Sequence, residues 1–112
     1  MSPPKVEKWD FDEMGAMTLD RICEMFTPAS HFRISAYDYP AGVEFAAATT
    51  EGLCYVLRGQ VTYCFHDLNL EIRLFAGEFA SLPSGSHRVS IGKNEAVSLV
   101  MVWELPAEFR LN

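Results

Sequence analysis

The stretch Leu53-Cys-Tyr-Val-Leu-Arg-Gly-Gln-Val-Thr-Tyr-Cys-Phe-His66 places two short runs of apolar, β-branched and aromatic residues on either side of Gly59. Successive side chains of an extended strand point to opposite faces, so apolar residues at every second position mark a half-buried strand. Val61, Tyr63 and Phe65 alternate in this way with Thr62, Cys64 and His66. The spacing predicts a hairpin around Gly59 between strands Leu53–Leu57 and Val61–Phe65. A two-residue turn there pairs even-numbered with odd-numbered positions, which puts Cys54 and Val56 on one face with Val61, Tyr63 and Phe65. Leu53, Tyr55 and Leu57 take the other face with Thr62, Cys64 and His66. The first face is the more uniformly apolar and is expected to be the interior. Tyr63 then points inward, where its hydroxyl must find a partner or a ligand.

The same period extends along the chain. Leu70, Ile72 and Leu74 alternate with Glu71 and Arg73; His87, Val89 and Ile91 alternate with Ser86, Arg88 and Ser90. Val97, Leu99, Met101 and Trp103 alternate with Ser98, Val100 and Val102. Pro40-Ala-Gly42, Phe75-Ala-Gly77, Pro83-Ser-Gly85 and Gly92-Lys-Asn94 separate these runs as turns, so about seven or eight short strands are expected from Phe32 onward. Such a pattern means an all-β antiparallel sandwich or small barrel. Residues 1–30 read differently, as an acidic arm ahead of a domain at 31–112. Thr18 is a helix N-cap, Leu19, Ile22, Cys23 and Phe26 follow with i, i+3, i+4, i+7 spacing, and Pro28 lies beyond the end. A short helix is expected there, with Trp9 and Phe11 packing the arm across the domain.

Composition excludes several classes. The 112 residues suffice for one core, and 49% apolar with 21% charged residues fits neither a disordered tail nor a coiled coil. Nine bases against fifteen acids give a net charge of −6 with no Lys/Arg run, so no nucleic-acid partner is expected. No apolar stretch approaches the ~20 residues that span a bilayer, and the N-terminus lacks the apolar core of a signal peptide; a cytoplasmic protein with no membrane partner is expected. Cys23, Cys54 and Cys64 are odd in number and show no C-x-x-C spacing, which implies neither a disulfide framework nor a zinc knuckle. They read as small buried apolar residues.

Two segments carry a resemblance. Gly77-Glu-Phe-Ala-Ser-Leu-Pro83-Ser-Gly85-Ser-His87 is similar to the second motif of the cupin superfamily: Gly, five residues, Pro, any residue, Gly, then a His. One residue separates Gly85 from His87, where the family has two. Tyr55-Val-Leu-Arg-Gly59 resembles the end of the first cupin motif, and Pro40-Ala-Gly42 resembles the turn before it. The resemblance spans about residues 32–105 and implies a cupin-like, double-stranded antiparallel β-barrel of jelly-roll type, often a homodimer. It also implies a metal site, but the first motif departs from the family pattern of His-x-His followed by Glu. The Glu slot falls at Gly52, and the His slots fall at Phe45 and Ala47, at Ala46 and Ala48, or at Ala48 and Thr50. Only His87 matches a family ligand. A divalent site needs three or four converging donors, so no metal and no cofactor is expected unless Glu51, Glu44 or Cys54 rebuilds a site around His87.

The candidate ligand-binding residues are therefore Cys54, Tyr63, His87 and Trp103, all on faces read as interior. His87 either packs as a buried imidazole, bonded to Tyr63 or a backbone carbonyl, or contacts a ligand. Arg33, Arg73 and Arg88 are expected to form a solvent-facing row paired with Glu71 or Glu44. An Arg at the barrel mouth would instead clamp a carboxylate or phosphate. Three functions stand open: a metal-free barrel that binds or senses a small molecule, an enzyme, or a homodimeric interaction module. As an enzyme, the resemblance implies a His87–Tyr63 acid–base isomerase or epimerase, ahead of a metal-dependent dioxygenase or isomerase. As a module, it would bury the Leu53, Tyr55 and Leu57 face against a second copy, with the arm swapped across the dimer.

Overall fold

The alternation at 53–66 does produce two strands, but not a hairpin. In the computed structural model, which describes residues 4–109, nine strands occur: β1 (Glu7–Lys8), β2 (Phe32–Tyr39), β3 (Glu44–Thr49), β4 (Gly52–Arg58), β5 (Gln60–Phe65), β6 (Leu70–Phe75), β7 (Glu78–Leu82), β8 (Gly85–Ile91) and β9 (Val97–Glu104). They form a five-stranded sheet in the order β1-β7-β4-β9-β2 and a four-stranded sheet in the order β3-β8-β5-β6. All pairings are antiparallel. The architecture is an all-β jelly-roll barrel.

The expected pairing of Leu53–Leu57 with Val61–Phe65 is thus corrected. The chain crosses at Gly59 from one sheet to the other, so β4 pairs with β7 and β9 while β5 pairs with β6 and β8. Gly59 has φ +81°, and a Cβ there would lie 2.5 Å from the Ala96 carbonyl oxygen, so only glycine fits this corner. The face assignment survives the correction. Cys54, Val56, Val61, Tyr63 and Phe65 are buried together between the sheets with Leu74, Leu82 and Leu99. The corner residue shifts parity between the strands just as a two-residue turn would.

The other face of the five-stranded sheet is buried as well. Two short helices cover it: α1 (Phe11–Met14), capped by Asp10, and α2 (Leu19–Met25), capped by Thr18, whose Oγ1 accepts from the Arg21 N–H. Trp9, Met17 and Ile22 pack against Tyr55, Val100 and Val102 to form a second apolar cluster. The Trp9 N–H donates to the Gly77 carbonyl at 2.8 Å, its indole N–H donates to the Gly15 carbonyl at 2.9 Å, and its ring meets Tyr55 edge-on. The arm therefore occupies the Leu53, Tyr55 and Leu57 face that a dimer was expected to bury. Within the expected helical stripe only Ile22 is buried; Leu19 and Cys23 are exposed, and so is Phe11.

Candidate functional site

Because side chains alternate, each strand sends every second residue between the sheets, and at one end of the barrel these include a group of aromatic rings beside Leu82 and Leu99. Tyr37 and Tyr39 of β2, Tyr63 of β5, His87 of β8, and Met101 and Trp103 of β9 line a chamber of about 150 Å³ there. Tyr37 and Tyr39 stack at 6.0 Å. His87 is 8% exposed and sits against two rings, Tyr63 at 5.7 Å and Phe65 at 4.7 Å. Its Nδ1 lies 3.1 Å from the Gly85 carbonyl oxygen, which can only accept, so Nδ1 carries the proton. Among the described residues Nε2 has no hydrogen-bond partner, and His87 forms part of the chamber lining.

Behind the chamber wall, the Tyr63 hydroxyl and the Cys54 thiol share a hydrogen bond at 3.3 Å. Burial pushes the Cys54 thiol up to about 12, with the Tyr63 bond opposing the shift. Burial, reinforced by Cys54, likewise holds the Tyr63 phenol well above its ordinary range. Both groups are neutral at physiological pH, and the inner end of the site is weakly polar. Cys54 supports the wall through Tyr63 but does not itself line the chamber, unlike Tyr63, His87 and Trp103.

At the mouth, the Trp103 indole N–H donates to Thr49 Oγ1 at 3.1 Å. The indole lies across Gly52, where a Cβ would stand 2.7 Å from Trp103 Cδ1. Arg33 is exposed, as expected of a solvent-facing row, and its guanidinium carbon lies 5.3 Å from the centre of the Trp103 ring. Arg73 and Arg88 do lie on an exposed face, but among the described residues neither reaches a carboxylate at ion-pair distance. Glu44 accepts instead from the Ser90 hydroxyl, and Glu71 accepts from the Cys64 thiol, which is half-buried on the outer face rather than in the core.

Compared by sequence, the chain matches no family model and no curated protein. Compared by structure, it is similar to a cupin superfamily protein from Desulfitobacterium hafniense, at TM-score 0.54 and 15% identity over 68% of this chain and 69% of that one. It is also similar to a DUF861 family protein from Thermotoga maritima, at TM-score 0.54 and 19% identity over 91% and 99% of the two chains. A third likeness is to the lyase DddQ of Ruegeria pomeroyi, at TM-score 0.56 and 18% identity over 70% of this chain but 41% of that one. The fold is that of the cupins.

The positions expected to hold a cupin metal can now be located. β3 turns Phe45 and Ala47 inward, and Ala47 stands directly opposite His87 in the register, so these are the two His slots of the three pairs considered. The Glu slot at Gly52 also faces inward, and the Trp103 indole fills the space above it. Neither expected recruit reaches the site: Glu44 points outward to Ser90, and Glu51 is exposed in the turn between β3 and β4. Cys54 is bonded to Tyr63 and lies outside the chamber lining. Among the described residues no three His, Cys, Asp or Glu side chains come together. The donor set does not fit a cupin metal. Tyr37, Tyr39, Thr49 and Met101 line the chamber and were not selected by the sequence reading, which weighed Arg33 as one of three arginines for a clamp at the mouth.

Proposed function

We propose that this cupin-fold protein binds or senses a small molecule in the aromatic chamber without a metal. The observation that carries this reading is one end of the barrel: a chamber lined by Tyr37, Tyr39, Tyr63, Trp103 and the His87 imidazole, where Ala47 and the Gly52–Trp103 contact stand at the cupin donor positions. Concave, mostly apolar sites with a few placed polar groups are the usual form of small-ligand pockets. A His87–Tyr63 acid–base enzyme is less well supported, because the Tyr63 hydroxyl is engaged by Cys54 and held neutral. A homodimer remains part of the proposal, but its interface would exclude the face that the arm covers.

The test is a screen of small organic fragments against the full chain, read by side-chain NMR at His87, Tyr63 and Trp103. Fragments that shift all three are expected to bind more weakly to His87→Ala and Tyr63→Phe, both still folded. Binding unchanged in both variants would remove the reading. Elemental analysis adds an independent check: about one transition metal per chain would return the metal-dependent alternatives to the front.

A further inference from the structure

Arg33 belongs to the interior-facing set of its strand. It shares odd parity with Tyr37 and Tyr39, which face the chamber, whereas Phe32 and Ile34 pack against the arm. Its exposed guanidinium lies over Trp103 and beside an outer vestibule of about 390 Å³. The vestibule and the chamber have Tyr37, Ala48, Thr49 and Trp103 in common, so the two spaces adjoin at the indole. Among the described residues no carboxylate lies within ion-pair distance of Arg33, and no acceptor takes a hydrogen bond from it. Glu104 borders the same vestibule from the opposite parity of β9, and it has a partner of its own.

We propose that the chamber and vestibule together select a small planar monocarboxylate, its apolar body among the rings and its carboxylate on Arg33. This rests on the chamber being a ligand site and adds the class of ligand. Three physical arguments lead here. A guanidinium 5.3 Å from an indole centre is held near the ring by cation–π attraction, and with no acceptor of its own among the described residues it can offer its N–H fork to a carboxylate. A carboxylate placed deeper would lose its hydration among rings and neutral hydroxyl and thiol groups, so the charge belongs at the mouth. A space of about 150 Å³ accepts a benzene-sized group and little more. One guanidinium also balances one negative charge, whereas a phosphate monoester carries nearly two. The protein's net charge of −6 repels anions at long range, so only a local cation gives an anion an advantage here.

Benzoate and its neutral isostere benzamide, titrated into the full chain, separate the two levels of the proposal. Benzoate is expected to shift His87 and the Trp103 indole and to bind about tenfold more tightly than benzamide, the scale of one charge-assisted contact. Arg33 is exposed, so Arg33→Gln leaves the fold in place; it should bring benzoate down to the benzamide affinity and leave benzamide unchanged. Equal affinities for the two probes in the unmodified protein would overturn the carboxylate preference alone. A preference that survives Arg33→Gln would overturn the role of Arg33. No shift at His87 or Trp103 with either probe at millimolar concentration would overturn both the preference and the chamber reading beneath it.

Discussion

The two ends of the barrel interior use the same strands and the same alternation to opposite ends. Near the Gly59 corner, Val56, Val61, Leu74, Ile91 and Val97 meet across the gap, and all are buried. Branched aliphatic side chains interdigitate and close the space to the density of a packed solid. At the other end the inward positions hold Tyr37, Tyr39, Tyr63, His87 and Trp103, flat groups of which three are tied by hydrogen bonds to Cys54, Gly85 and Thr49. Rings held upright by polar tethers cannot slide together, so a chamber is left. The difference between core and pocket here is one of side-chain shape and tethering, since the backbone does the same thing at both ends.

The sharpest way to test that contrast is to cut a cavity in the closed end. Leu74 is fully buried, and Leu74→Ala should cost about 2–5 kcal/mol in urea unfolding while leaving probe affinities at the chamber unchanged. A loss below 1 kcal/mol would show that the closed end is not tightly packed. The next effect belongs to the mouth. Gly52→Ala forces a methyl to within 2.7 Å of the indole and 2.9 Å of the Val102 carbonyl oxygen, and should cost about 1–3 kcal/mol. Displacement of the indole from Thr49 should appear as a red-shifted Trp emission; an unmoved spectrum would mean the backbone yields instead.

Smaller again is the tether behind the wall. Tyr63→Phe leaves the Cys54 thiol without its partner and should cost about 1 kcal/mol, whereas adding Cys54→Ala should cost little beyond either single change. Strict additivity in that double-mutant cycle would show the two groups to be uncoupled. The least visible effect at neutral pH is alkaline. Cys54 titrates near 9 when exposed and at about 12 in the fold, so the folded state keeps a proton that the unfolded chain releases between those values. Stability from this group is complete below about pH 9 and falls as pH rises toward 12; Tyr63, shifted the same way by burial, acts in the same sense. Cys54→Ala should flatten the fall, and a thermal-unfolding series from pH 7 to 11 reads it.

Strand positions were legible because alternation is local, and His87, Tyr63 and Trp103 followed from it. Partner choice was not, because a glycine corner that passes the chain between sheets leaves the same local pattern as a turn. Gly59 therefore misled the pairing of β4 with β5 while preserving the faces of both. Tyr37 and Tyr39 escaped for a different reason. β2 is partly buried on both sides, with Phe32 and Ile34 against the arm and the tyrosines against the chamber, so its apolar residues do not alternate cleanly. The same blending affected β4, where Leu53 and Tyr55 read as a surface open to a partner and lie under the chain's own Trp9 and Phe26. The inward face read for Cys54 is the one it takes, but Tyr63, to which its thiol is bonded, borders the chamber and Cys54 does not.

The way the strands are shared between sheets also bears on how the chain is made. From β2 to β9, only the step from β5 to β6 stays within one sheet; each other connection passes to the opposite layer. β2 ends at Tyr39 and takes as its neighbour β9, which begins at Val97. Emerging from a ribosome, β2 must wait for β9, the last of the described strands, before its hydrogen-bonding edge can be satisfied. The four-stranded sheet has all its strands once β8 is made, whereas the five-stranded sheet must wait for β9, and contacts this distant in sequence slow folding. The arm, synthesised first, reaches its final seat on the sheet only after β9 has entered beside β4.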